Sequence, residues 1–147
     1  GYSNFPKQTP FPSYSEGEID TFLSKINVLV CTVPYTPKTH GLLSEKLFNK
    51  LNEPTYLINV SRGAVQVEKD ILAALDSNVL SGAFLDVFEQ EPLHESSPLW
   101  HHPKVQITPH IASLTYPKES VIQVLESFDL IRKGLKPRFQ VDREKMY

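Results

Sequence analysis

The fold is decided by residues 56–88, which read YLINVSRGAVQVEKDILAALDSNVLSGAFLDVF. Tyr56–Val60 is a short apolar run of the kind that forms a buried strand. Residues 68–77 carry apolar side chains at helical spacing, and Asn78 suits the left-handed position that ends a helix. A second apolar run at residues 83–88 predicts another strand. The stretch therefore predicts a strand–helix–strand unit.

The same alternation of strand and helix patterns extends in both directions from this unit. Further strands are predicted at residues 26–31 and 105–108, and further helices at residues 18–25, after a capping Ser44, and between a capping Thr115 and Gly134. The Pro-rich residues 5–15 are expected to be irregular. Strands that alternate with helices pair in parallel through right-handed crossovers. We therefore predict an α/β fold with a parallel sheet.

Composition narrows the classes of protein to consider. A chain of 147 residues with 40% hydrophobic and 22% charged residues is typical of one folded domain. Its net charge of −2 gives no basic surface, so nucleic acid is not expected as a partner. The single Cys31 excludes an internal disulfide and favours a reducing, cytoplasmic setting. The longest apolar run, residues 28–33, is too short for a bilayer, and residues 1–15 do not resemble a secretory signal, so no membrane partner is expected.

Polar and special residues follow each predicted strand. Pro34 comes after the first strand, Ser61 and Arg62 after the second, residues 86–91 close the third, and His110 follows the last. In a parallel sheet the carboxyl ends of the strands lie along one edge, where ligands bind. These residues are therefore expected to meet at one crevice although they are distant in sequence.

Three of these residues can carry chemistry together. The planar guanidinium of Arg62 can bind a carboxylate with two hydrogen bonds. His110 can deliver a proton near neutral pH, and Glu91 can hold its imidazole in one tautomer. Each has a simpler alternative: an Arg that closes a strand, a structural His, and an exposed acidic turn in which Glu89 and Glu91 only face solvent. Glu95 is a further carboxylate close by.

Six short motifs extend these observations along the chain. They are VPYTPKT at 33–39, NVSRG at 59–63, LDVFEQEP at 85–92, SPLW at 97–100, ITPHIA at 107–112 and QVDR at 140–143. In this order and spacing they resemble the C-terminal part of the D-2-hydroxyacid dehydrogenase family, in particular its glyoxylate/hydroxypyruvate reductase A branch. Individually the motifs are weak, and their order makes the resemblance specific.

The resemblance implies an oxidoreductase that transfers hydride from NAD(P)H to a small 2-oxo acid such as glyoxylate or hydroxypyruvate. Arg62 would hold the substrate carboxylate, His110 would donate the proton, and Glu91 would orient His110. No metal is implied. The implied cofactor-binding residues are Asn4, Pro34, Val60, Ser61, Arg62, Asp86, His110, Ala112 and Ser113. Ala112 and Ser113 stand where the wider family commonly has two glycines.

These 147 residues contain no Gly-rich motif of the kind that binds the pyrophosphate of a dinucleotide cofactor. A dinucleotide fingerprint needs Gly-x-Gly-x-x-Gly, and no two of the six glycines are close. We therefore expect a partial Rossmann-like parallel sheet that lacks its first strand and Gly-rich loop. Residues 1–134 would form a partial NAD(P)-binding domain, and residues 135–147 a tail that packs on a substrate domain. This fragment alone is expected to bind cofactor poorly and to turn over little or nothing.

Cofactor choice and assembly can also be predicted. Asn4 lies at the stretch that discriminates the adenosine ribose, where Asp favours NAD and Arg favours NADP. Asn4 is neither, and the resemblance to the reductase A branch favours NADP over NAD. An unpaired sheet edge and an uncovered apolar face predict a homo-oligomer. Two other functional classes stay open: a non-enzymatic interaction module, as in corepressor relatives of this fold, and a truncated remnant.

Overall fold

The computed structural model describes residues 1–113 and 115–143 of the chain. It divides into two compact units, Gly1–His110 and Ile111–Tyr147. The first unit contains the sheet and the second contains one long helix. The predicted division into a cofactor-binding domain at 1–134 and a tail at 135–147 stays a prediction, and the tail's last four residues lie outside those described.

The sheet of the first unit confirms the predicted α/β class. Its four strands are β1 (Val28–Cys31), β2 (Thr55–Asn59), β3 (Leu80–Leu85) and β4 (Val105–Ile107). They are parallel throughout and lie in the order β1-β2-β3-β4. All four carboxyl ends therefore lie along the same edge, which is the arrangement that the sequence predicted.

Strand β3 begins three residues earlier than the apolar pattern predicted, and it ends at Leu85 rather than at Phe88. The early part was missed because Ser81 and Gly82 interrupt the apolar run. A Cβ atom on Gly82 would overlap the ring of Tyr56, which lies on the neighbouring strand β2. The glycine therefore belongs to the strand, since it makes room for a cross-strand aromatic side chain.

Three helices precede or connect these strands: α1 (Ile19–Leu23), α2 (Glu45–Phe48) and α3 (Glu68–Asp76). Asn78 has a φ of 61° just after α3, which confirms it as the left-handed residue at the helix end. Ser44 stands at the N-cap of α2, but its side chain makes no capping hydrogen bond there. Asp70 from α3 accepts the Glu45 N–H at 3.0 Å instead. The cap was not predictable locally because it comes from another helix.

The core lies between the sheet and the helices on one of its faces. Leu57, Ile71, Leu80 and Leu85 are each 0% exposed. Strands that follow one another across the sheet through right-handed crossovers place their connections on the same face. On the other side of the edge strand β1, Val28 and Val30 are about half exposed. No helix in the described residues is long and apolar enough to cross a bilayer.

The second unit is built on α4 (Pro117–Arg132). The helix begins two residues after the predicted cap Thr115, with Pro117 in its first turn, where proline's missing N–H costs nothing. It ends at Arg132, and Gly134 lies just beyond its end as predicted, with a φ of 71°, while the Leu135 N–H donates to the Leu130 carbonyl at 2.9 Å. The predicted apolar stripe of α4 is present and exposed; it comprises Val121, Val124, Leu125, Phe128 and Ile131.

Candidate active site

The carboxyl edge of the sheet opens into a cavity of about 650 Å³ in the first unit. This volume is within the range of small-molecule sites. The cavity is lined by Thr32, Val33, Pro34, Tyr35, Val60, Ser61, Arg62, Gly63, Ala64, Phe88, Glu89, Glu91 and His110. Arg62, Glu91 and His110 therefore lie at one cavity, although 48 residues separate the first from the last (110 − 62).

His110 and Glu91 form a hydrogen-bonded pair at this cavity. The imidazole Nδ1 lies 2.8 Å from the Glu91 Oε2, and the Phe88 N–H donates to the other oxygen, Oε1, at 3.0 Å. Burial pushes the pKa of Glu91 upward, but the hydrogen bonds from His110 and from the Phe88 amide outweigh it, so the pKa is lowered overall. Glu91 is therefore ionised at neutral pH.

An ionised Glu91 decides which nitrogen of His110 carries the shared hydrogen. A carboxylate only accepts hydrogen bonds, so Nδ1 must be the donor. The second ring nitrogen, Nε2, is then the atom that can hold or deliver a proton. The side chain of His110 is 47% exposed, which lets a ligand or water reach that atom.

A tight turn brings His110 to the cavity directly after β4. The His110 N–H donates to the Thr108 carbonyl at 3.1 Å, and His110 has a φ of 54°. This left-handed conformation is uncommon for residues other than glycine, although His and Asn adopt it more readily than most. Such a conformation at a cavity is a reason to suspect a functional role.

Arg62 follows β2 and presents an exposed guanidinium. Its Nη1 donates to the Ser61 carbonyl at 2.6 Å, which is the one hydrogen bond of this side chain among the described residues. A guanidinium has five N–H donors, so most of its capacity stays available to a ligand oxygen pair. The arrangement suits the binding of a small carboxylate.

The loop that carries Arg62 packs directly against the loop that leads to Glu91. A Cβ atom on Gly63 would overlap the carbonyl group of Phe88. Only glycine allows two backbones to approach this closely. Gly63 therefore permits the close approach of the two loops.

Glu89 lies at the cavity but is engaged elsewhere. Its carboxylate accepts the Glu68 N–H at 2.6 Å at the start of α3, and its own N–H donates to the Glu68 carboxylate at 2.8 Å. Burial raises the pKa of Glu68, and the nearby charge of Glu89 adds to that rise. Glu91, and neither Glu89 nor Glu95, is hydrogen-bonded to His110 among the described residues.

The other candidate cofactor residues divide into two groups. Pro34, Val60 and Ser61 line the cavity. Asp86 does not line it; it is 1% exposed beneath the sheet edge and accepts a short hydrogen bond from the Thr108 hydroxyl. Thr108, the residue after β4, is thus one hydrogen-bond partner of the buried carboxylate. Thr108 belongs to the motif ITPHIA, but the motif alone does not indicate this contact.

Asn4, Ala112 and Ser113 are not among the residues that line the cavity. Asn4 is exposed. Along the chain it follows Tyr2, which forms an isolated parallel bridge with Tyr14. Ala112 and Ser113 are exposed and belong to the second unit. Their assignment to the cofactor stays a prediction. In the described part of the chain no cluster of His, Cys, Asp or Glu could hold a metal ion.

Sequence reasoning missed several residues of the cavity. Phe88 and Tyr35 line it, and buried Asn59 and Gln66 lie beneath it. Asn59 within an apolar strand and Gln66 within an apolar stretch were the available signals, because a buried amide needs partners. Their partners could not be identified from one sequence.

The chain is similar in sequence and in fold to proteins of known structure. Residues 1–112 match the family described as D-isomer specific 2-hydroxyacid dehydrogenase, NAD binding domain. A probable 2-hydroxyacid dehydrogenase from Rhizobium etli, solved with NADP, is 37% identical with a TM-score of 0.92. An NADPH complex of a D-isomer specific 2-hydroxyacid dehydrogenase from Xanthobacter autotrophicus is 36% identical with a TM-score of 0.96. The NADPH-dependent glyoxylate/hydroxypyruvate reductase from Sinorhizobium meliloti is 37% identical with a TM-score of 0.94.

Each comparison covers 100% of this chain but only part of the other one. The shares of the other chains are 48%, 62% and 48%, in the same order. The chain thus spans about half to three fifths of the length of these solved structures.

Proposed function

Because this chain belongs to the family of D-isomer specific 2-hydroxyacid dehydrogenases, we propose that it is the chemistry-bearing part of an NAD(P)-dependent reductase of small 2-oxo acids such as glyoxylate or hydroxypyruvate. The observation that carries the proposal is the shared cavity of Arg62 and the His110–Glu91 pair. A 2-oxo acid presents a carboxylate beside a ketone. In this cavity the Arg62 guanidinium can bind the carboxylate, and His110 can donate a proton to the ketone oxygen.

Each of the three residues has a defined task in the proposed reaction. Arg62 binds the substrate carboxylate with two parallel hydrogen bonds and so fixes the ketone in place. Protonated His110 delivers the proton from Nε2 to the ketone oxygen as negative charge develops there. Glu91 keeps Nδ1 protonated and balances the charge of the imidazolium.

The residues at the strand ends fit a nicotinamide ring. Pro34 and Val60 give the cavity apolar walls, and Ser61 adds a small polar side chain beside them. When bound, the nicotinamide supplies the hydride, while the protein orients and polarises the substrate. Contact between Asp86 and the carboxamide end of the ring stays a prediction, because this carboxylate is 1% exposed, is held by Thr108 and does not line the cavity.

We propose NADP as the preferred cofactor. All three similar solved structures hold NADP or NADPH. The reductase from Sinorhizobium meliloti is also described as NADPH-dependent. Asn4 carries no negative charge that would repel a 2′-phosphate, and the exposed Lys7 lies close in sequence. An Asp at that stretch would instead select NAD.

A chimera tests the proposed function. In it, these 147 residues replace the matching 48% of the Sinorhizobium meliloti reductase, which supplies the rest of its own chain. We expect the chimera to oxidise NADPH when glyoxylate or hydroxypyruvate is added. The isolated 147-residue chain should turn over little, because it contains no Gly-rich pyrophosphate loop.

Two results would argue against this account. A folded chimera that binds NADPH but reduces neither 2-oxo acid would remove the catalytic role and favour a binding module. Robust turnover by the isolated chain would show that the Gly-rich loop is dispensable. The unmodified parent reductase is the positive control, and NADPH binding by the chimera, measured by fluorescence, reports whether the chimera is folded.

We also propose that these 147 residues on their own form a homo-oligomer. Strand β1 lies at the edge of the described sheet, and Val28 and Val30 are 51% and 54% exposed on it. An exposed apolar edge strand readily pairs with another copy. Sedimentation velocity should show the chain as a dimer or larger, and Val30→Lys should shift it toward monomer. A monomer at all concentrations would contradict the proposal.

A further inference from the structure

A buried polar network lies beneath the two loops that form the cavity. The Asn59 Nδ2 donates to the Gln66 Oε1 at 2.7 Å, and the Gln66 Nε2 donates to the Val87 carbonyl at 3.0 Å. Asn59 and Gln66 are 0% and 2% exposed, so water cannot replace either hydrogen bond. In such a setting a polar side chain is tolerated only if its partners are in place.

One end of this network holds the residue before Arg62. The Asn59 Oδ1 accepts the Ser61 N–H at 3.0 Å and the Ser61 hydroxyl at 2.8 Å. At the other end of the network, Gln66 holds the carbonyl of Val87. The N–H of the next residue, Phe88, donates to the Glu91 carboxylate. Gln66 therefore connects the loop that presents Arg62 to the loop that presents Glu91.

We propose that Gln66 is a positioning residue that sets the distance between Arg62 and the His110–Glu91 pair through its amide hydrogen bonds to Asn59 and Val87. This inference rests on the proposed function, since the distance matters only if the three groups act on one substrate. The site depends on spacing, because reacting groups displaced by about 1 Å can lose about 100-fold in rate.

The chemistry of the position favours an amide over other side chains. Gln66 accepts from the Asn59 amide with one atom and donates to the Val87 carbonyl with the other, and its amide also donates to the Glu68 carboxylate. Methionine has a similar length but can do neither. A carboxylate accepts but cannot donate, whereas an uncharged carboxyl group can do both.

Two variants test the proposal, Gln66→Met and Gln66→Glu. The first readout is the pKa of Glu91, followed by carbon NMR of its carboxyl group in the 147-residue chain. The groups that act on Glu91 are His110, the Phe88 amide and the charge of Asp86. In Gln66→Met the pKa should rise toward its ordinary value, because the Phe88 amide is no longer held in place.

Gln66→Glu is expected to behave like the natural chain in the same titration. Burial and the charge of the neighbouring Glu68 carboxylate both raise the pKa of the introduced carboxyl group, so it is uncharged over the range in which Glu91 titrates. It can then donate to Val87 and accept from Asn59. If both variants shift the pKa of Glu91 equally, or if neither does, the proposal is overturned.

The second readout is kinetic and uses the chimera. Gln66→Met should lower kcat for glyoxylate by about 10- to 100-fold, with a smaller change in KM for NADPH. Gln106→Met is the matched control, because Gln106 is exposed on β4 and should change neither readout. An inactive natural-sequence chimera would count against the proposed function, while the Glu91 titration would still decide the network. An active chimera with unchanged kcat in folded Gln66→Met would overturn the positioning role alone.

Discussion

Arg62→Ala is expected to lower kcat/KM for glyoxylate in the chimera by about 30- to 5,000-fold, which corresponds to the ~2–5 kcal/mol lost when one partner of a hydrogen-bonded charge pair is removed. The reason is that the substrate carboxylate loses its bidentate partner, and the ketone is then no longer held in place. Arg62→Lys should recover only part of the loss, because a Lys ammonium lacks the planar fork.

The control for Arg62 is Lys69→Ala, which removes one positive charge from an exposed position on α3 in the same unit. It should leave kcat/KM within about twofold, since exposed charges at a distance are screened by salt. Equal losses of kcat/KM in both variants would mean that the net positive charge of this unit matters, and not the position of the Arg62 guanidinium. An Arg62→Ala variant with normal kcat/KM would remove Arg62 from the site.

His110→Asn is expected to lower kcat in the chimera by about 100- to 10,000-fold, the usual contribution of a general acid. Asn is chosen because His110 has a φ of 54°, a conformation that Asn also tolerates. The variant therefore keeps the backbone of the turn and loses only the proton donor. In the chain alone it should also raise the pKa of Glu91, because one of the hydrogen bonds that lowers that pKa is gone.

His101→Asn serves as the control for His110, since His101 is exposed at the end of a short 3-10 helix. Its kcat should match that of the natural sequence. Glu91→Gln is expected to lower kcat as well, because an amide NH₂ can face Nδ1 and reverse the tautomer of His110. Full activity in His110→Asn would mean that the proton comes from another group or from water.

Much of the architecture was predictable because hydrophobic periodicity reports burial. The run at residues 26–31 and the helical spacing at residues 68–77 both gave elements of the right type, shortened at their ends. Parallel pairing then predicted which loops share an edge. This is why the sequence predicts that Arg62 and His110 lie close together, as they do at the cavity.

What the sequence could not give are contacts between side chains that are distant along the chain. The cap of α2 comes from Asp70, 25 residues after Glu45, and Glu89 supports the start of α3 from 21 residues away. Gly63 belongs to the motif NVSRG, but the motif does not show that this glycine lets the Phe88 carbonyl approach. Such contacts depend on three-dimensional packing, so local patterns in one sequence do not reveal them.

The central claim is that Arg62 and the His110–Glu91 pair act on the same small molecule. A crystal structure of the chimera with NADP and oxamate, a 2-oxo acid isostere that accepts no hydride, tests it most directly. The account predicts both carboxylate oxygens of oxamate on the Arg62 guanidinium and its amide oxygen within hydrogen-bond distance of the His110 Nε2. Oxamate bound with its carboxylate away from Arg62, or out of reach of His110, would contradict it.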